Sequence, residues 1–264
     1  LEGLSLNPGA SKVVEIPFED LNPKTNAEYW LRISVQLKED KNWAKAGHEL
    51  AKQQFKLPIQ TEVTAKEINA DNITFDESDE QIVVSGKNVQ AIIGKKSGLI
   101  ESYQQGGKQV ITSALKPYFW RPLTDNDERG WKVQQSIAIW KDLPGMLTVK
   151  NLNADASSAN IAVKLAYKEL SLKLNYSFTN EGTVNVKFDL AIPDEMPEPI
   201  RVGMNMGVST DLQQMSFYGK RPFENYSDRN GAAEIDIYQG SVDDFYYNYT
   251  KPQESSNHTC VRWL

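Results

Sequence analysis

The sequence is poor in cysteine and histidine. Its single cysteine among 264 residues is Cys260, so an internal disulfide is impossible, and we expect this thiol to be a small buried side chain. Its two histidines, His48 and His258, lie far apart, and no Cys-x-x-Cys motif occurs. These absences argue against a histidine-based zinc site, and we expect neither a metal nor a cofactor within this chain.

Long apolar runs and basic stripes are also missing. No stretch approaches the roughly 20 apolar residues that a membrane-spanning helix needs. The 29 basic and 35 acidic side chains are interspersed, and the formal net charge is −6. We therefore expect neither a membrane nor a nucleic acid as a partner. Residues 1–10 lack an initiator Met and the features of a signal peptide, so we expect the chain to begin inside a longer one.

What the sequence does contain is alternation of apolar and polar residues with a period of two. The clearest case, residues 29–37, would place Leu31, Ile33 and Val35 on one face of a strand. Residues 44–52 contain helix-forming side chains without a clear cap, so a helix there stays open. Many short strands separated by turn signals predict an all-β fold made of sandwiches. The further predicted strands are 81–85, 89–93, 147–152, 161–167, 170–178, 183–190, 202–208 and 234–238.

One boundary divides the chain. A strand-like segment ends with Phe-Lys-Leu-Pro at residues 55–58, and a polar stretch with few apolar residues follows it. The part before the boundary, 1–60, is too short to bury its own core, so we expect it to be the end of a domain whose first half is missing. The part after it, 64–264, is long enough for one large β-domain.

The first unusual motif spans residues 118–131, where three aromatics precede an arginine and an Asp-Asn-Asp cluster. Arg121 could form a forked ion pair with a carboxylate and hold a buried turn, which is the interpretation we favour because Asp and Asn stabilise turns. Calcium or sodium binding and sugar recognition remain alternatives. The residues concerned are Trp120, Arg121, Asp125, Asn126 and Asp127.

The second motif spans residues 218–229. Glu224 and Asp228 could form the carboxylate pair of a glycosidase, but sequence spacing cannot establish the separation that such a pair needs. Because Arg221 and Arg229 flank them, we expect a salt-bridged loop that also includes Asn225 and Tyr226.

A third motif is the aromatic-rich run at residues 243–254, which contains Phe-Tyr-Tyr-Asn-Tyr, together with Val-Arg-Trp-Leu at 261–264. Aromatic side chains of this kind could stack on a sugar ring, but they fill the cores of β-sandwiches more often.

These three motifs resemble elements of the small-chain domain of β-galactosidases. Residues 119–127 are similar to that family's Arg-x-Pro-x-Asp-Asn-Asp element, and residues 217–229 are similar to its Gly-x-Gly-Pro-x-Glu-Asn-Tyr-x-Asp-Arg element. The chain departs from the second element at Lys220, where Gly is commoner. Residues 249–264 resemble a third element, Tyr-x-x-Pro-Gln-Glu followed by Val-Arg-Trp-Leu, but His258 replaces the usual Arg.

The resemblance extends upstream, because residues 43–51 are similar to the segment that closes the immunoglobulin-like domain before the small chain. The resemblance implies that 1–60 is the C-terminal part of an immunoglobulin-like β-sandwich. It implies that 64–264 is a large antiparallel supersandwich, related to galactose mutarotases and lacking its C-terminal end.

The resemblance also implies a function. In this family the catalytic acid/base and nucleophile are glutamates of a TIM barrel, so this chain would be a non-catalytic C-terminal region that supports or shapes the active site of a retaining β-galactosidase. Its partners would be the remainder of the parent polypeptide and a galactoside substrate, with a homo-oligomer allowed and Mg²⁺ or Na⁺ ions in the catalytic domain of the parent. A stand-alone carbohydrate-binding or structural β-sandwich is the alternative. A mutarotase-like epimerase is disfavoured, since it would need a general acid and base, usually His with Glu.

Pro and Gly at residues 144–145 signal a turn between predicted strands. In the enzymes that the chain resembles, the loop at this place lies near the mouth of the barrel's active site. We therefore expect a substrate-proximal loop here, although an ordinary hairpin connection is equally compatible with the sequence. Its residues are Asp142, Leu143, Pro144 and Gly145.

Overall fold

The structure, a computed structural model, describes residues 6–16, 21–59, 70 and 72–264. The chain forms two compact units, Leu1–Lys66 and Glu67–Leu264. The predicted all-β class is confirmed, because antiparallel strands make up most of the regular structure in both units.

The first unit contains an antiparallel hairpin of strands β1 (Trp30–Gln36) and β2 (Glu49–Lys56), in which Trp30 lies opposite Lys56. The strand predicted for residues 29–37 is confirmed. The helix that the sequence left open for residues 44–52 does not form, because the second half of that segment belongs to β2. Pairing with β1 supplies the backbone hydrogen bonds of this segment, and such tertiary pairing overrides weak local helix propensity.

The second unit is a sandwich of two larger sheets. Its strands are β3 (Thr74–Glu77), β4 (Gln81–Ser85), β5 (Val89–Gly94), β6 (Ile100–Gln105), β7 (Lys108–Tyr118), β8 (Thr148–Asp155), β9 (Asn160–Tyr167), β10 (Leu170–Phe178), β11 (Val184–Ala191), β12 (Gly203–Val208), β13 (Gln214–Arg221) and β14 (Glu234–Ser241). One large sheet has six strands in the order β12-β7-β6-β5-β4-β3, and the other has four in the order β11-β10-β9-β8. Strands β13 and β14 form a separate two-stranded ribbon.

Period-two alternation explains how the main core forms. In β10 every second side chain, from Leu170 to Phe178, is buried, and in β4 the same holds for Ile82 and Val84. These rows of apolar side chains face each other between the two large sheets. Every strand predicted in this unit is confirmed, whereas β3, β6, β7 and β13 were not predicted.

A tyrosine and a glycine join the two sheets inside this core. The Tyr176 hydroxyl, carried by β10, donates a hydrogen bond of 3.1 Å to the carbonyl oxygen of Gly98. Gly98 has a φ of +70°, and a Cβ atom built on it would lie 2.5 Å from Cγ1 of Val163. Burial raises the pKa of the Tyr176 hydroxyl, as expected for a phenol removed from water.

Two short helices, α1 (Val133–Ser136) and α2 (Ile139–Met146), follow a single π-helical turn, Asn126–Trp131. Trp140 and Leu143 of α2 are fully buried and pack with Phe119 and Leu170 in a second, smaller core. The Trp140 and Phe119 rings meet edge to face with centroids 5.3 Å apart.

The expected loop at residues 142–145 is therefore wrong as a secondary-structure prediction, because all four residues lie in α2. Burial of Trp140 and Leu143, three residues apart on one helix face, outweighs the turn preference of Pro144 and Gly145. Pro144 stands inside the helix, so it forfeits one backbone hydrogen bond, and the helix ends within two residues.

The end of the chain runs beside the β13–β14 ribbon. The backbone N–H of Tyr218 donates to the Trp263 carbonyl at 3.0 Å, and the N–H of Arg262 donates to the Tyr218 carbonyl at 2.8 Å. Cys260 is exposed, contrary to the expectation of a buried thiol. The reason is its position in this outer segment, where Val261 is also exposed.

Candidate functional site

The first motif is organised around the carboxylate of Asp127, which is 3% exposed. The Arg121 guanidinium donates to both of its oxygens, with Nη1 2.8 Å from Oδ2 and Nη2 3.0 Å from Oδ1. The backbone N–H and the hydroxyl of Thr124 donate to Oδ2 at 2.8 and 2.9 Å. This forked ion pair and the two further bonds hold the turn before the π-helical segment in one conformation.

Asp125 and Asn126, the other two polar residues of this motif, are exposed. Asp125 accepts a hydrogen bond from Nζ of Lys251 at 2.7 Å, and the same ammonium lies 2.9 Å from Glu128. The Lys251 ammonium holds the pKa of Asp125 below its usual value. Lys251 thus ties the first motif to the third, which the sequence did not indicate.

Trp120 of the first motif is partly buried and packs against the second core rather than beside Asp127.

The second motif is organised around Glu224, whose side chain is 3% exposed. One of its oxygens is 3.3 Å from Nη1 of Arg229 and also accepts a short hydrogen bond from the Tyr249 hydroxyl. The other accepts the backbone N–H of Ser256 at 2.8 Å. Glu224 therefore joins its own loop to the chain segment that follows the third motif.

Arg221 does not join this carboxylate cluster, although we predicted one loop for both. It is the last residue of β13, and its side chain extends along the ribbon, where Nη2 donates to the Asp244 carbonyl at 2.8 Å. Its guanidinium carbon lies 4.3 Å from the centre of the Phe245 ring. Asp228, expected in the same cluster, is exposed.

Asn225 is fully buried, and its side-chain amide links its own loop to the segment around Thr259. Its amide NH₂ donates to the carbonyl oxygens of Lys220 and Phe223, both at 2.9 Å. Its Oδ1 accepts the backbone N–H and the hydroxyl of Thr259 at 2.8 and 2.6 Å. All four hydrogen-bonding positions of the amide are used, so the loop has little freedom to move.

The loops of the three motifs meet around one cleft of about 380 Å³. The sequence analysis treated the first motif as a buried turn and the second as an independent salt-bridged loop. It did not predict that they share a cleft, because about 100 residues separate them and no local signal links them. It also missed Thr124 and Lys251. The cleft is lined by Arg121, Thr124, Asn126, Asp127, Trp131, Tyr226, Asp228, Arg229, Tyr249, Gln253 and Glu254.

Tyr226 and Glu254 form part of the cleft wall. Burial, with a further contribution from the carboxylates of Glu224 and Glu254, raises the pKa of Tyr226 to about 12. Glu254 is 8% exposed and pairs with Nη2 of Arg201 at 2.5 Å. Asp127 and Glu254, the buried carboxylates that line the cleft, are therefore each paired with an arginine.

The residues of 142–145 do not line this cleft. Leu143 is buried in the second core, whereas Asp142 and Gly145 are exposed on the outer face of α2. Their predicted proximity to a substrate stays a prediction.

Among the residues that the structure describes, no group of three or more His, Cys, Asp and Glu side chains is arranged to hold a metal ion. In the same residues, no helix has both the length and the apolar character required to cross a membrane.

Fold and cleft together define an all-β sandwich unit whose loops are fixed by arginine–carboxylate pairs. Residues 85–264 match the family model described as beta galactosidase small chain, and residues 1–58 match the one described as beta-galactosidase, domain 4. The chain belongs to the β-galactosidase small-chain family.

Curated relatives agree with this assignment. The beta-galactosidase of Priestia megaterium is 32% identical over 240 residues, which cover 89% of this chain and 23% of the relative. That of Pseudoalteromonas haloplanktis is 26% identical over 254 residues, covering 87% and 24%. That of Lactobacillus delbrueckii subsp. bulgaricus is 28% identical over 266 residues, covering 98% and 25%. The chain thus spans about a quarter of the length of these relatives.

Proposed function

We propose that this chain is the non-catalytic C-terminal region of a β-galactosidase that hydrolyses terminal β-D-galactosides with retention. The observation that carries the proposal is the pair of family matches, to domain 4 and then to the small chain, in that order along the chain. In the proposal the catalytic glutamates belong to a TIM barrel elsewhere in the parent polypeptide, and so do any Mg²⁺ or Na⁺ ions.

The state of the buried carboxylates supports a non-catalytic role. A retaining glycosidase needs two carboxyl groups about 5–5.5 Å apart, one free to transfer a proton and one free to attack the sugar. Asp127, Glu224 and Glu254 are each engaged by an arginine. A carboxylate held in this way fixes the loop that carries it.

The proposed contribution of this region is to support and shape the active site of the parent. Loops held by buried ion pairs on a sandwich are rigid, and rigid supports keep reacting groups in position. We place residues 142–145 at the mouth of that active site. Asp142 and Gly145 lie on the exposed face of α2, which leaves them accessible to another domain or to a substrate.

The experiment compares this chain with the complete protein that its gene encodes. We expect the complete protein to hydrolyse a chromogenic β-galactoside with retention at the anomeric carbon, as followed by NMR. The 264-residue chain alone should show no turnover. Hydrolysis by the isolated chain, or no galactosidase activity in the complete protein, would contradict the proposal.

A second comparison tests residues 142–145 in the complete protein. Gly145→Val should change kcat and KM without changing the thermal midpoint, because a Cβ at Gly145 meets no atom within 4 Å. The matched control is Gly231→Val, since Gly231 is equally open and should leave both constants unchanged. Equal kinetic effects of the two variants would remove residues 142–145 from the active-site mouth.

A stand-alone carbohydrate-binding or structural module is the second candidate, and the aromatic side chains in the cleft favour it over an unrelated function. A complete protein that binds galactosides without hydrolysing them would support this candidate.

A further inference from the structure

We propose that residues 254–264 form a latch that holds one wall of the cleft in place and that mild acid loosens through His258. The latch begins at Glu254, one of the residues that line the cleft. From there it runs to β13, where Trp263 bridges Tyr218. A change in the latch therefore alters the cleft. The inference concerns the 264-residue chain itself and does not depend on the proposed function.

The latch is attached on both sides of His258. Before this residue, the Glu224 carboxylate accepts the backbone N–H of Ser256 at 2.8 Å. After it, the backbone N–H of Lys220 in β13 donates to the Thr259 carbonyl at 3.1 Å. His258 lies between these two attachments, so a change in its charge acts on both.

The imidazole of His258 is enclosed by aromatic rings. Its centre lies 4.9 Å from that of the Phe217 ring and 6.0 Å from that of the Phe245 ring. Both ring nitrogens are shielded from solvent, and neither makes a hydrogen bond of normal geometry within the described residues. An imidazolium in this place would bury a charge and two N–H donors, whereas a neutral imidazole buries no charge.

A second cation lies beside the imidazole. The guanidinium carbon of Arg221 is 4.3 Å from the centre of the Phe245 ring, which the imidazole also contacts. Lys220, the neighbouring cation of β13, directs its ammonium to the Asn230 side chain at 3.1 Å. A proton on His258 would therefore add positive charge next to Arg221 in an apolar setting, which is unfavourable.

The carboxylates around the imidazole are already engaged. Glu224 faces it from the loop after β13, but one of its oxygens is 3.3 Å from Arg229 and the other accepts a backbone N–H of the latch. Asp244, which precedes Phe245, accepts the backbone N–H and the hydroxyl of Ser241, both at 2.8 Å. Glu254 of the latch pairs with an arginine, and Arg262 of the latch lies over a tyrosine ring. An imidazolium would thus lack a counter-charge of its own.

The direction of the pH effect follows from these surroundings. Burial, and after it the charge of Arg221, lowers the pKa of His258 in the closed latch, whereas the Lys220 backbone and the Glu224 carboxylate raise it by less. In an open latch the imidazole is in water and has its ordinary pKa of about 6.5. The closed latch is therefore most stable above about pH 6.5 and loses stability as the pH falls from there through the lower, closed-state pKa. Each pKa unit between the two states increases the open fraction by at most about tenfold.

The first measurement follows the imidazole signals of the 264-residue chain by NMR as the pH falls from about 7.5 to about 5. The chain has two histidines, so His48→Gln leaves a single imidazole signal, that of His258. We expect its midpoint to lie below the peptide value of about 6.5. This window lies above about pH 4.3, where ordinary carboxyl groups take up protons, so it isolates the histidine.

The second measurement is hydrogen–deuterium exchange over the same window, corrected for the intrinsic pH dependence of amide exchange. The reporters are the N–H groups of Ser256, Thr259 and Arg262, which are hydrogen-bonded in the closed latch. We expect the open fraction of the latch to rise severalfold toward the acid end, while the amides of β10 in the main core keep their protection.

Two variants without a titrating group test the role of His258. His258→Phe should remove the acid-dependent rise, because phenylalanine keeps an aromatic ring beside Phe217 and Phe245 and binds no proton. His258→Gln should remove it as well, so the test does not depend on the folding of one variant. His48→Gln is the matched control, because His48 is exposed in the first unit and its loss should leave the rise unchanged.

Three outcomes would overturn the proposal. The first is a His258 midpoint at or above the peptide value, and the second is latch exchange that does not change with pH after correction. The third is an acid-dependent rise that a folded His258→Phe or His258→Gln variant retains in full. An equal rise in β10 would assign the change to unfolding of the whole unit and would also contradict the latch.

Discussion

Replacing Arg121 with alanine tests whether the Asp127 ion pair stabilises the second unit. The substitution removes both guanidinium contacts to a carboxylate whose side chain is 4% exposed. Asp127 would keep the two hydrogen bonds from Thr124, but its charge would have no compensating cation within the turn. A buried charge that loses its partner is strongly destabilising, since water cannot replace the lost contacts.

The expected magnitude follows from the burial of the two partners. Breaking a fully buried ion pair costs about 3–5 kcal/mol. The Arg121 side chain is 18% exposed, so water can enter part of the space that it leaves. We therefore expect the free energy of unfolding to fall by about 2–3 kcal/mol, at or below the lower limit of that range. For a unit of this size, the thermal midpoint should fall by about 5–10 °C.

The assay is urea unfolding and calorimetry of the 264-residue chain, with Lys187→Ala as the control. Lys187 forms an exposed pair with Asp189 at 3.8 Å, and its loss should change stability by less than about 1 kcal/mol. A double variant, Arg121→Met with Asp127→Asn, should lose less than the sum of its two single variants, because it leaves no unpaired charge. Unchanged stability in Arg121→Ala, or strict additivity in the double variant, would refute the reasoning.

Three further substitutions are informative. Gly98→Ala should lower the free energy of unfolding by about 2 kcal/mol or more, because its Cβ would combine a positive φ with a 2.5 Å approach to Val163; calorimetry showing no loss would mean that the core accommodates the methyl group. Tyr176→Phe should cost about 1 kcal/mol in urea unfolding by removing the hydrogen bond to the Gly98 carbonyl, and a more stable variant would contradict this. Burial, with a smaller contribution from Arg221, lowers the pKa of His258 below its ordinary 6.5, so its contribution to stability is complete above pH 6.5 and is lost as the pH falls through the lower, folded-state pKa. His258→Gln should flatten the dependence of the thermal midpoint on pH in this acidic range, and an unchanged slope would show that other groups cause it.

The sequence predicted strand bounds correctly where a strand buries the side chains of one of its two faces. β4 and β10 have the predicted bounds because their apolar residues alternate without interruption. β6 and β7 escaped prediction, and their pairing contains register shifts between Ile100 and Tyr103 and between Tyr103 and Gln104. A shifted register breaks the period of two, so the sequence pattern of a bulged strand no longer shows its structure.

The outcome at α2 shows how packing overrides local signals. Pro144 and Gly145 indicate a turn, and in isolation a short segment that contains them would not form a stable helix. The helix forms because Trp140 and Leu143 fill the second core, and the Trp140 indole N–H donates to the Pro197 carbonyl at 2.8 Å. These partners are distant in sequence, so local propensity could not predict the helix.

The sequence by itself determined the all-β class and the motifs that place the chain in its family. These properties follow from local residue order, either as alternation of side chains along a strand or as short strings of residue types. Only the tertiary structure decided that Arg121 pairs with Asp127 while Arg221 turns toward Phe245, and that the three motifs surround one cleft. The physical reason is that ion pairs and clefts depend on the distances between side chains, and these distances are set by how the sheets and loops pack together.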